Sequence, residues 1–257
     1  MSDAIHQGHV EASIRTNGVA TIEFGHPLSN SLPGKILQKL AATITEMGKN
    51  EEVKLIVIKS AGDRVFCAGA SFDELISIQD FSTGKQFFSG FANVINACRK
   101  CPKLIIGRVQ GKAVGGGVGV ASAVDYCFAT KYADVKLSEL AVGIGPFVVG
   151  PVVQRKIGMS AMSELAINAT EWRSAGWARD KGLYTEVYDS AEEMDMAIEK
   201  LALQLSKSNP EAMSLLKGAF WKGTEDWDVL LEKRAELSGK LVLSDFTVDS
   251  INAFKKK

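Results

Sequence analysis

Two glycine-rich stretches stand where main-chain amides could do chemistry. Gly115-Gly116-Gly117-Val118-Gly119 opens a small-residue segment that reads as a helix toward Ala123, and Ala68-Gly69-Ala70 leads into Ser71. Ser71 followed by Glu74 is the sequence of a capping box, so a helix is predicted to start there. The first turn of a helix carries N–H groups without intrahelical partners, and small residues ahead of it let a ligand approach the backbone. Two such starts could aim two donors at one oxygen and hold negative charge as it develops. Either turn alone is explained by tight packing.

Other chemistry lacks its motifs. The glycine run does not have the G-x-G-x-x-G period, and no G-x-x-x-x-G-K-[ST] occurs, which removes the main support for NAD or ATP. Cys98-Arg99-Lys100-Cys101 ends a predicted helix, the wrong pole for lowering a thiol pKa. Cys67 and Cys127 stand alone and do not complete a zinc set, so the cysteines read as structural. His6, His9 and His26 have neither metal-ligand nor nucleophile–base spacing and are expected at the surface. No metal site is expected.

The elements that must hold the two turns follow from periodicity. Val10 to Arg15 and Val19 to Phe24 alternate around Asn17-Gly18, whose positive-φ preference predicts a hairpin. Ile36, Leu37, Leu40, Ala41, Ile44 and Met47 carry helical spacing, and Leu55 to Ile58 reads as a buried strand. Phe87, Phe88, Phe91, Val94, Ile95 and Cys98 form the stripe of a longer helix that Pro102 ends before a strand at Leu104 to Val109. Tyr126 to Ala129 and Val135 to Leu137 are further strands. This alternation predicts an α/β fold with parallel sheets. From Ala191 onward the pattern is helical, giving a core over 1–190 and a helical region over 191–257 that must dock on the core or on another subunit to bury its faces.

The chain has 257 residues, with 30 Lys plus Arg against 30 Asp plus Glu. That balance removes the general attraction that nucleic acid or an anionic membrane would need. No secretory signal or membrane-spanning run is visible, and four cysteines suit a reducing compartment, so a cytoplasmic protein is expected.

Phe66-Cys67-Ala68-Gly69-Ala70, Gly111-x-Ala113-Val114-Gly115-Gly116-Gly117, Asp125, and Glu139 with Gly143 and Pro146 follow in fixed order, after Asn30-Ser31-Leu32. This arrangement resembles the crotonase, or enoyl-CoA hydratase/isomerase, superfamily over essentially the whole chain. The resemblance implies an α/β, crotonase-like spiral of ββα repeats with C-terminal helices at oligomer contacts, in a homotrimer or hexamer. It implies an acyl-CoA thioester as substrate and no separate cofactor, coenzyme A being part of the substrate. It places the thioester oxygen on the N–H groups of Ala70 and Gly116, beside Ala68, Gly69, Gly115, Gly117 and Phe72, with Leu75, Phe87, Phe147 and Trp172 as further pocket candidates. Glu139 matches one of the family's two acid/base carboxylates; the other position is Gly119. A single carboxylate can move a proton from one carbon to another, which tilts the expectation toward 3-enoyl to 2-enoyl-CoA isomerisation. Leu137, Leu140 and Val142 are expected to raise the pKa of Glu139. Alternatives are a hydratase of a branched or dicarboxylic substrate such as methylglutaconyl-CoA, in which Glu139 alone activates water or another residue such as the nearby Asp73 or Glu74 replaces the missing acid, and a non-catalytic acyl-CoA-binding scaffold. Asp125 is expected to be structural.

Overall fold

A computed structural model of the chain describes residues 7–255; His6 and the terminal Lys256 and Lys257 lie outside them. Strands β1 (His9–Ile14) and β2 (Val19–Gly25) pair antiparallel, as the alternation predicts. Their turn departs in detail: only Gly18 takes positive φ, at 82°. Asn17 acts through its side chain instead, its Oδ1 accepting the Val19 N–H at 3.2 Å.

After α1 (Gly34–Lys49), the chain winds through a repeated pattern. Each turn gives one strand to a large sheet, β3 (Leu55–Ser60), β5 (Leu104–Val109) and β7 (Tyr126–Thr130), and the next to a small one, β4 (Val65–Cys67), β6 (Lys112–Val114) and β8 (Val135–Lys136). The large sheet has the order β1-β2-β3-β5-β7-β9, with β9 at Glu186–Tyr188, and the small sheet the order β4-β6-β8. All other pairings between these strands are parallel. Helices α2 (Phe72–Ser77), α3 (Phe81–Lys100) and α4 (Gly116–Ala123) fill the connections, followed by α5 (Gly150–Ile167) and α6 (Ala175–Asp180). The main core lies between the large sheet and α1, α3 and α4, where Ile22, Ile56, Ile105, Val94 and Val118 are fully buried.

The C-terminal helices α7 (Ala191–Leu205), α8 (Pro210–Phe220), α9 (Trp227–Leu241) and α10 (Asp245–Lys255) dock on this core. Helix α7 covers the opposite face of the large sheet through Met194, Ile198 and Ala202, packed with Leu55, Ile106 and Phe128. Helix α8 is tied down by Lys217, whose Nζ meets Asp125 Oδ2 at 2.9 Å and the Lys103 carbonyl at 2.8 Å. Asp125 also accepts the Ile105 N–H at 2.7 Å and Trp221 Nε1–H at 2.9 Å. Its hydrogen bonds join β5, β7 and α8, away from the two glycine turns.

All four cysteines are buried free thiols, and burial pushes Cys67, Cys98 and Cys127 up to about 12. They are uncharged at neutral pH. His26 is not at the surface. It is buried, with its Nδ1 3.0 Å from Ser31 Oγ and accepting the Leu28 N–H at 3.2 Å. The turn that follows supplies these partners, and its Asn30 Oδ1 accepts the His26 N–H at 3.0 Å. Among the described residues, no cluster of His, Cys, Asp and Glu could hold a metal ion, and no helix is long and apolar enough to cross a membrane.

Candidate active site

The two glycine turns lie against each other, and the absence of side chains permits it. Gly69 has φ 86°, and a Cβ there would stand 2.7 Å from the Val114 carbonyl oxygen and 3.4 Å from the Gly116 nitrogen. A Cβ at Gly117 would stand 2.6 Å from the Cys67 carbonyl oxygen. Real side chains do not reach such distances, so β4 and the start of α4 approach this closely only as glycine.

Each turn is oriented by what grips its carbonyl. The Leu32 N–H donates to the Gly69 oxygen at 2.8 Å, within a parallel bridge between Leu32 and Ala70. Across a planar trans peptide the N–H points opposite to the C=O, so the Ala70 N–H is directed away from Leu32. In the second turn the Gly115 oxygen accepts the N–H groups of Val118 at 2.9 Å and Gly119 at 3.2 Å, which directs the Gly116 N–H outward from the helix start. Neither the Ala70 nor the Gly116 amide donates to an acceptor among the described residues.

The Leu32 clamp is itself anchored by Asn30. Its Nδ2 donates to the carbonyls of Ala61 and Val65, both at 2.8 Å, and its Oδ1 accepts the His26 N–H at 3.0 Å. Asn30 has φ 54°, a left-handed conformation that asparagine tolerates better than most residues. Thus Asn30-Ser31-Leu32 shapes the first turn from outside the cavity.

Glu139 approaches from the segment after β8, just before a 3-10 turn at Leu140–Val142 closed by Gly143 in the left-handed region. Its carbonyl accepts the Val142 and Ile144 N–H groups at 3.2 and 3.0 Å, fixing its backbone. The carboxylate lies beside the triple glycine: a Cβ at Gly115 would stand 2.9 Å from Glu139 Oε1. The residue as a whole keeps partial exposure, yet Oε2 is buried and has no hydrogen-bond partner. Burial pushes the carboxyl up to about 7, opposed only by its own backbone N–H. That suits a group that must take and return a proton near neutral pH.

Ala70, Gly116 and Glu139 line one cavity of about 40 Å³ with Phe88, Phe91, Pro146, Phe147, Val148, Val149 and Ser238. Its apolar walls are not those expected from neighbouring sequence. Leu137 and Val142 are buried but outside the lining, and Leu140 is exposed. Of the pocket candidates, Phe147 lines the cavity. Phe72 starts α2 with its ring about one-third exposed, Leu75 and Phe87 are buried in the core, and Lys112 and Lys136 stand over the Trp172 ring. Ala68, Gly69, Gly115 and Gly117 form the turns behind the lining.

Gly119 has no room for a second acid. A Cβ there would stand 2.4 Å from Val149 Cγ1, so the valine fills the space a side chain would need. Asp73 and Glu74 do not line the cavity, and the Glu74 carboxylate accepts the Gly34 N–H at 2.7 Å at the start of α1. Gly119→Glu is therefore expected to lower stability by about 1–3 kcal/mol through overpacking, measured by urea unfolding. Adding Val149→Gly should recover part of that loss.

A family model described as enoyl-CoA hydratase/isomerase matches residues 14–257. The chain belongs to the enoyl-CoA hydratase/isomerase family. Mouse methylglutaconyl-CoA hydratase is 31% identical over 200 residues, 76% of this chain and 63% of that relative, so the match leaves over a third of the relative uncovered. A short-chain-enoyl-CoA hydratase of Clostridium acetobutylicum is 28% identical over 93% of this chain and 92% of its own length. The crystal structure of an enoyl-CoA hydratase from Bacillus halodurans superposes with a TM-score of 0.87 at 20% identity, covering 95% of this chain and 99% of the other. The crotonase fold is common to both.

Proposed function

We propose that this protein binds an acyl-CoA thioester and shifts its double bond from the 3 to the 2 position, with Glu139 as the only acid/base group. The observation that carries this reading is a buried carboxylate oxygen without a partner, in one cavity with two unengaged main-chain amides. Glu139 in its carboxylate form removes a proton from C2. The C–H electron pair moves into the conjugated system, and the charge gathers on the thioester oxygen held by the Ala70 and Gly116 N–H groups. The protonated Glu139 then delivers the same proton to C4, leaving the conjugated 2-enoyl thioester with no net change in atoms. Donors already in place meet charge that exists only during the reaction, an arrangement worth several kcal/mol. Family membership supports an acyl-CoA substrate, and the packing at Gly119 supports one-acid chemistry.

Hydration is the second reading, favoured by the resemblance to methylglutaconyl-CoA hydratase. The absorbance of the conjugated thioester separates the two. Supplied with 3-enoyl-CoA, an isomerase generates that absorbance; a hydratase consumes it when supplied with 2-enoyl-CoA. We expect generation to dominate. Consumption alone would replace the isomerase reading with the hydratase one, and binding without either change would identify a scaffold.

A further inference from the structure

We propose that Ser238 selects acyl groups that carry a neutral oxygen substituent, a hydroxyl, carbonyl or ether along the chain; this deepens the acyl-CoA reading above and rests on it. Ser238 belongs to α9, far from the glycine turns in sequence, and is 1% exposed. Among the described residues it is the only polar side chain besides Glu139 in the lining of the Glu139 cavity. No hydrogen bond joins its hydroxyl to another described residue. A serine in a helix can satisfy itself on the carbonyl one turn back, and this one does not.

The helix is held firmly against α3 beside Ser238. Helices α3 and α9 cross through glycine: a Cβ at Gly239 would stand 2.5 Å from the Lys85 nitrogen, and one at Gly84 would stand 2.8 Å from the Gly239 carbonyl oxygen. Lys85 also reaches along α9 to Glu232 at 2.9 Å and Glu236 at 2.8 Å. Ser238, next to that crossing, has little freedom to turn away.

A buried hydroxyl facing a plain hydrocarbon chain loses its water without gaining a partner, which disfavours that substrate. An oxygen on the chain restores the bond. The cavity lining contains no cation and holds Glu139, so a second carboxylate on the acyl group would meet repulsion without compensation. The selected group is therefore neutral.

The test compares saturated acyl-CoA esters of one length whose terminal methyl is replaced by hydroxyl or by carboxylate, with binding measured by calorimetry on the wild type and Ser238→Ala. The wild type is expected to prefer the hydroxyl ester over the hydrocarbon by about 10-fold or more, and Ser238→Ala to erase or invert that preference. Equal affinities in the wild type would overturn the proposal, whether or not the variant folds. So would a preference unchanged in Ser238→Ala, or a wild type that binds the carboxylate ester best. Because binding is read without turnover, absence of any enoyl-CoA conversion would reject the function above while leaving this preference measurable.

Discussion

Glu139→Gln is expected to lower kcat on 3-enoyl-CoA by about 10²–10⁴-fold while leaving acyl-CoA binding within a few-fold of wild type. Glutamine keeps the shape and cannot carry the proton. The wild-type rate should rise with pH and level off above the Glu139 pKa of about 7, because only the carboxylate removes the C2 proton. Stability should move oppositely. Folding raises this carboxyl from 4.5 to about 7, so the protein binds its proton more tightly folded than unfolded. Stability from this group is whole below pH 4.5 and falls as pH rises through 7, by up to about 3 kcal/mol. Glu139→Gln removes that loss. The variant should therefore melt higher than wild type at pH 8 and close to it at pH 4.5. Loss of activity with no stability gain at pH 8 would mean that the carboxylate is better solvated than its surroundings indicate.

The largest stability effect is expected at the ion pair that fastens α8. Lys217 and Asp125 side chains are only 2% and 4% exposed. Lys217→Met would strand a buried carboxylate and should cost about 3–5 kcal/mol, since removing one partner leaves the other charge uncompensated. In a chain of this size that is a fall of roughly 10 °C in Tm. Asp125→Asn combined with Lys217→Met should regain much of the loss, because the asparagine can still accept a hydrogen bond and no buried charge remains. A double variant as unstable as the single one would show that the Lys217 bond to the Lys103 carbonyl, rather than the charge pair, holds the helix.

What could be read from sequence was governed by local rules. Alternation around Asn17-Gly18, the Phe87 to Cys98 stripe and the small-residue run after Gly115 each specify an element through their own neighbours. The two turns are legible as a pair of helix starts preceded by glycine and alanine, although each alone reads as tight packing. Glu139 was legible only through resemblance, since nothing in its flanking residues marks a buried carboxylate. The remainder of the site is made by long-range packing. Val149 closes the space at Gly119 from the start of α5, and Phe88 and Phe91 reach in from α3. Ser238 comes from a helix about 100 residues later than Glu139, and its amphipathic pattern gives no sign of which residue faces a cavity. The burial of His26 has a similar origin: the turn at Ser29 and Asn30, both with positive φ, brings Asn30 Oδ1 to its N–H and Ser31 Oγ to its ring. Composition does not report such a turn.

The most direct test is a crystal structure with a saturated short-chain acyl-CoA bound. The thioester oxygen is expected about 2.7–3.1 Å from both the Ala70 and Gly116 nitrogens, with a Glu139 carboxylate oxygen facing C2. A thioester oxygen that meets only one of these amides, or a carboxylate turned away from C2, would contradict a one-acid, two-amide site.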